Sequence, residues 1–204
     1  MSKGRTIFDA IRTIDDVIEL TMNRDILGIL VAIDFEKAFD SLNFSFLIRD
    51  LHAFNFGPSF IQWVRVLYNK VSSCVMNHGQ FTSGPFSLSR GVRQGDPLSA
   101  YLFILALEIL AIKIRNDNNI QGIRIGEKIV ELTLFADDMA CFIKDIRSYS
   151  TLFETLRAFR AFSGLKVNKD KTEALALGSS GSVCEGHLVM NNLCLVVTLK
   201  REKN

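Results

Sequence analysis

The stretch LTLFADDMACFI, residues 132–143, sets Asp137 and Asp138 side by side inside an otherwise apolar run. The arms LTLF and MACFI read as the two strands of a hairpin, so the acidic pair falls at its tight turn, where Asp tolerates unusual backbone angles. An ordinary solvated turn would look the same. Against that stands an electrostatic cost: adjacent carboxylates repel, and partial burial makes the repulsion worse unless a cation neutralises it. A chain that places this pair beside buried strand must either expose the turn to water or bring a positive charge to it.

Magnesium suits such a position. It takes oxygen ligands octahedrally and usually keeps water or phosphate oxygens, so a few carboxylates around it leave the site open to a triphosphate. A third carboxylate is then needed, and ILGILVAID, residues 26–34, offers one. This Ile- and Val-rich run reads as a strand covered on both faces, and it stops at Asp34. If the hairpin pairs with this strand, three acids meet, and two ions about 3.5–4 Å apart can serve an in-line displacement at phosphorus.

The remaining pattern is that of one mixed domain over residues 1–177. Thr6 and Asp9 resemble a cap for an amphipathic helix over 6–22, carried by Ile7, Ile11, Ile14 and Ile18. Its start close to Met1 suggests preceding structure absent from this chain. Residues 42–54 and 59–69 read as helices parted by Gly57 and Pro58, and 72–88 as a hairpin turning near Asn77 to Gly79. Asp96 and Pro97 suit the start of a long apolar helix. Thr151 and Glu154 form a capping box for a helix through Phe162 that Gly164 ends, and LKVN and TEALALG are candidate strands. Residues 178–204 stay unassigned.

Charge and cysteines exclude little. A net charge of +2 is too small to announce a nucleic-acid partner. Local charge says more: residues 157–171 hold five basic side chains against Asp170, which suits a phosphate-contacting face and a solvated helix equally. The four cysteines lack metal-ligand spacing and fit a reduced, intracellular compartment, nuclear or cytoplasmic. Residues 98–114 form the longest apolar run, but it is short of a membrane span and contains Glu108 and Lys113, so it reads as a buried helix and no membrane partner is expected.

Four segments in order, VAIDFEKAFDSL, SRGVRQGDPLS, LFADDM and SGLKVNKDKTEAL, resemble the palm motifs of reverse transcriptases, closest to the non-LTR, LINE-type retrotransposon branch. The resemblance covers about residues 3–177. It implies an α+β fold, a right-hand polymerase palm whose antiparallel sheet is backed by helices, with partial fingers and no complete thumb. It implies Asp34, Asp137 and Asp138 as ligands of two Mg²⁺ ions, with Mn²⁺ a possible substitute. Phe39 matches the steric gate that crowds a ribose 2′-hydroxyl. Gln94 and Gly95 match a nucleotide- and template-contacting loop, to which Arg93 could add a phosphate contact. Lys166, ahead of Lys171, is the candidate general acid for the departing pyrophosphate. Glu36, Lys37 and Asp40 belong to the same pattern without an assigned role.

The activity implied is RNA-directed DNA synthesis from deoxynucleoside triphosphates on an RNA template and a DNA primer; protein partners are not indicated. A truncated, catalytically inactive relic with weak nucleic-acid binding is the alternative. An RNA-templated RNA polymerase would share the two-metal chemistry, but Phe39 opposes it.

Overall fold

The computed structural model describes residues 7–135 and 138–178, together with two short strands at 188–190 and 193–195. The helices are α1 (Ile7–Asn23), α2 (Ala38–Ser41), α3 (Phe44–Ala53), α4 (Pro58–Tyr68), α5 (Pro97–Arg115) and α6 (Ile146–Ser163). The strands are β1 (Gly28–Ile33), β2 (Ser72–Ser73), β3 (Met76–Asn77), β4 (Gln80–Phe81), β5 (Phe86–Ser87), β6 (Ile123–Ile125), β7 (Lys128–Val130), β8 (Leu132–Phe135), β9 (Asp138–Ile143), β10 (Glu173–Leu177), β11 (Leu188–Met190) and β12 (Leu193–Leu195). The chain divides into two compact units, one of Met1–Glu36, Leu110–Ala158 and Lys166–Asn204, the other of Lys37–Ile109 and Phe159–Leu165.

The first unit is organised by a four-stranded sheet of order β10-β1-β9-β8, antiparallel at every pairing. β1 sits inside it because its residues are apolar on both faces. On one face Leu30, Phe142 and Leu177 join Val17 of α1 and Ile123 in a buried cluster. On the other, Val31, Ile33, Met139, Cys141 and Ile143 are all at most 3% exposed. Each large apolar side chain buried this way contributes about 1.5–3 kcal/mol. Cover is incomplete: Ala32, on the face of Leu30, and Ala176 of β10, on the opposite face, are exposed. Burial also pushes the Cys141 thiol up to about 12, so it serves as a small core hydrophobe.

In the second unit, α3 starts at Asn43, whose side chain accepts from the Ser45 amide at 2.9 Å, and α4 starts with Pro58 at its first turn. His78 and Gly79, both at positive φ, close the two-residue turn between β3 and β4. Asp96 caps α5 by accepting from the Leu98 amide at 3.0 Å. By length and composition α5 is the one helix among the described residues able to cross a membrane. Its Leu102, Phe103, Ala106, Leu107, Leu110, Ala111 and Ile114 are nevertheless at most 1% exposed, the burial pattern of a core helix.

Three sequence expectations shift. α6 begins at Ile146, before the expected capping box: Asp145 accepts from the Ser148 amide at 2.8 Å, and the Thr151 hydroxyl instead donates back to the Arg147 carbonyl. The bonds from Ser148 hold the Asp145 carboxyl below its ordinary value. LKVN forms a single bridge, Phe35 with Val167, because a turn follows at once. Thr6, expected to cap α1, lies outside the described residues.

Asp50 of α3 is buried at 3% exposure, and its Oδ2 has no hydrogen-bond partner. Burial raises its carboxyl from 3.8 to about 7, against the opposing pull of Arg49. A carboxyl raised on folding binds its proton more tightly in the native state, so stability falls as pH climbs through the interval up to about 7. Between pH 5.5 and 8 that loss should be about 2 kcal/mol. Asp50→Asn should flatten this slope in thermal melts at the two pH values; an unchanged slope would show that Asp50 ionises normally.

Candidate active site

The antiparallel register of β1 with β9 runs from Ile29↔Ile143 to Ile33↔Met139. One position further along each strand stand Asp34 and Asp138, so the two acids occupy neighbouring positions at the same end of the sheet. Side chains alternate along a strand, which puts Asp34 on the face of Leu30 and Ala32 and Asp138 on that of Phe142 and Ala140, the same face. At this end Ala32, Asp138 and Glu173 are exposed and Asp34 is half-buried. β8 continues the row, since Phe135 pairs with Asp138.

Backbone contacts hold Asp34 in place. Its amide donates to the Thr172 hydroxyl at 3.2 Å, and its carbonyl accepts from the Asn168 amide at 2.8 Å. Both of its main-chain groups are thus engaged. The same loop places Lys166 against Glu36: its Nζ lies 2.6 Å from Oε1 and 2.8 Å from Oε2. Lys171 is exposed.

Asp137, the other acid of the pair, lies outside the described residues. Among the described residues no group of three acids, histidines or cysteines stands close enough to hold a metal ion. The donor set present, two hard carboxylates side by side at an open sheet end, nonetheless fits a magnesium-like cation, and Asp137 is the next residue in the chain.

The other singled-out residues belong to the second unit. Phe39 is half-buried, its ring stacked on Phe103 of α5 with centroids 4.8 Å apart and planes 18° from parallel. Arg93, although exposed, donates to the Leu67 carbonyl at 3.1 Å near the end of α4, a structural contact beside any phosphate role. The exposed Gln94 amide lies 3.5 Å from Asp40 Oδ1. Gly95 has φ +84°, yet an added Cβ would meet nothing within 4 Å, so backbone conformation and not space selects glycine there.

Sequence reasoning passed over Gly91. Its amide donates to the Leu42 carbonyl at 2.7 Å, the next amide donates to Phe39 at 2.7 Å, and an added Cβ would approach the Asp40 carbonyl oxygen to 2.9 Å at φ +93°. This glycine therefore docks the Gln94 loop onto the segment bearing Phe39. Its signal was present in SRGVRQGDP, where two glycines flank the loop. Thr172 has no such signal, and for Glu36, which belongs to the motif pattern, the pairing has none, because their partners, Asp34 and Lys166, lie more than 125 residues away.

Comparisons with known proteins identify the family. The family model described as reverse transcriptase (RNA-dependent DNA polymerase) matches residues 2–192. An uncharacterised 149 kDa protein of transposon TX1 from Xenopus laevis is 30% identical over 176 residues, covering 86% of this chain and 13% of that protein. A Pol polyprotein from the type-2 retrotransposable element R2DM of Drosophila melanogaster is 32% identical over 139 residues, covering 68% of this chain and 13% of that protein. The chain thus spans about an eighth of the length of these relatives. Among solved structures, a telomerase from Candida tropicalis in complex with a fragment of telomeric RNA is similar in fold, with a TM-score of 0.63, 17% identity, and coverage of 97% of this chain and 33% of that one. With a helix-backed antiparallel sheet of palm type and a family match over nearly its whole length, the chain belongs to the reverse transcriptase family.

Proposed function

We propose that this chain is the catalytic palm of an RNA-directed DNA polymerase, joining deoxynucleotides to a primer 3′-hydroxyl on an RNA template. The observation that carries the reading is the pairing of β1 with β9, whose register brings Asp34 and Asp138 to adjacent positions on one open face. Together with Asp137, these carboxylates would hold two magnesium ions, or manganese in their place. Such ions, when bound, favour the deprotonated attacking hydroxyl and stabilise charge on the leaving pyrophosphate.

The chain's own residues have narrower tasks. Asp34 and Asp138 would hold the ions at one end of the sheet and leave that face accessible to a triphosphate. Gln94 and Gly95 contact the nucleotide and template, Arg93 contacts phosphate, and Phe39 excludes a 2′-hydroxyl. Lys166 donates the proton to pyrophosphate, which requires it to leave Glu36; Lys171, already exposed, is the competing donor.

Primer extension on an RNA template with Mg²⁺ tests the reading. Asp138→Asn should lower turnover by at least roughly 100-fold with its melting temperature preserved, as expected when groups stabilising transition-state charge are removed. Extension at the parent's rate would refute the ligand role. Phe39→Val should raise ribonucleotide incorporation relative to deoxynucleotide; unchanged sugar discrimination would remove the gate assignment and leave Phe39 as a packing partner of Phe103.

A further inference from the structure

We propose that the groove between α3 and α4 binds the phosphodiester backbone of a single-stranded nucleic acid through Arg49 and Arg65. The inference rests on the polymerase reading and extends it to a surface that none of the sequence motifs touches.

The groove measures about 760 Å³ and is lined from α3 by residues including Ser45 and Arg49, and from α4 by Gln62, Arg65 and Asn69. No acidic side chain lines it. These five side chains are exposed; Arg49, Gln62, Arg65 and Asn69 carry hydrogen-bond donors, while the Ser45 hydroxyl donates to Asn43 Oδ1 at 2.9 Å, and Arg65 forms no ion pair among the described residues. The Arg65 guanidinium, with no ion pair among the described residues, favours an anion with in-plane paired oxygens, which phosphodiesters supply at regular spacing, and Arg49, whose charge also acts on the buried Asp50, adds a second positive group to the groove. Tyr68 lines this groove and also a second one of about 590 Å³, which holds Arg90, Arg93 and Gln94 and a single acid, Asp40. The two therefore share Tyr68 as a common wall, which places the α3–α4 groove beside the Gln94 loop.

An exposed aromatic ring favours nucleic acid over an acidic peptide. Trp63 of α4 is 69% exposed and lies one turn before Val66, which lines the groove. An indole beside a basic groove is what an unpaired base stacks on, and a phosphate-only ligand gains nothing from it.

The test is a fluorescence-anisotropy titration of the 204-residue chain with a labelled, unstructured RNA 12-mer between 50 and 200 mM salt. Arg49→Gln with Arg65→Gln should weaken binding about tenfold at 50 mM and flatten the log–log salt dependence by roughly 1.4, the share of two phosphate contacts to a single strand. Arg49→Lys with Arg65→Lys should recover most of the salt slope, and Trp63→Ala should weaken binding without changing it. Unchanged affinity and slope in the glutamine pair would overturn the proposal, as would lysine variants that bind no better than a glutamine pair with altered melting. Tighter binding of an oligoglutamate of equal charge would assign the groove to an acidic protein. Primer extension run in parallel separates the two claims: a parent that extends primers while the glutamine pair binds normally sinks the groove alone, and groove-dependent binding by a parent that extends nothing sinks the polymerase alone.

Discussion

Five rungs of antiparallel pairing between β1 and β9, from Ile29↔Ile143 to Ile33↔Met139, decide where the charged groups of this protein meet. Like charges do not assemble themselves; something else must hold Asp34 beside Asp138. Here it is the hydrophobic effect acting on the opposite face, where Val31, Ile33, Met139, Cys141 and Ile143 are buried. A slip of one residue would turn that whole set outward and send the acids inward, so burial of one face locks the register that displays the acids on the other.

Around this ladder, main-chain bonds do most of the positioning. Asp34 is fastened by its own amide and carbonyl to the segment Asn168–Thr172, and within the other unit Gly91 and Val92 fasten the Gln94 loop to the segment Phe39–Leu42. Because backbone donors and acceptors are common to all residues, such a scaffold tolerates wide sequence change. That accords with a TM-score of 0.63 to a telomerase of only 17% identity. What it does not tolerate is a side chain at Gly91, where both the torsion and the space are taken.

Elements governed by local pattern were legible in the residues themselves: β1 from its unbroken apolar run, α3 and α4 from the Gly57–Pro58 break, the β3–β4 turn from Asn77 to Gly79, and α5 from Asp96 and Pro97. The start of α6 differs from the expectation because two capping patterns compete within seven residues. The apolar periodicity of Ile146, Tyr149 and Leu152 had already begun before Thr151, so the helix takes Asp145 as its cap and leaves the later threonine inside. Nothing in the periodicity of α3 marks Asp50, whose raised carboxyl is a product of burial.

The sequence by itself determined the family, the acids available for chemistry and the strands that carry two of them, since these depend on residue type and short-range order. Only the tertiary structure decided that β9 pairs with β1 in the register that makes Asp34 and Asp138 neighbours, that Lys166 closes on Glu36, and that two helices leave an acid-free basic groove between them. Each of those joins residues brought together by burial of apolar surface, an effect without direction or sequence range, and so without a local signature.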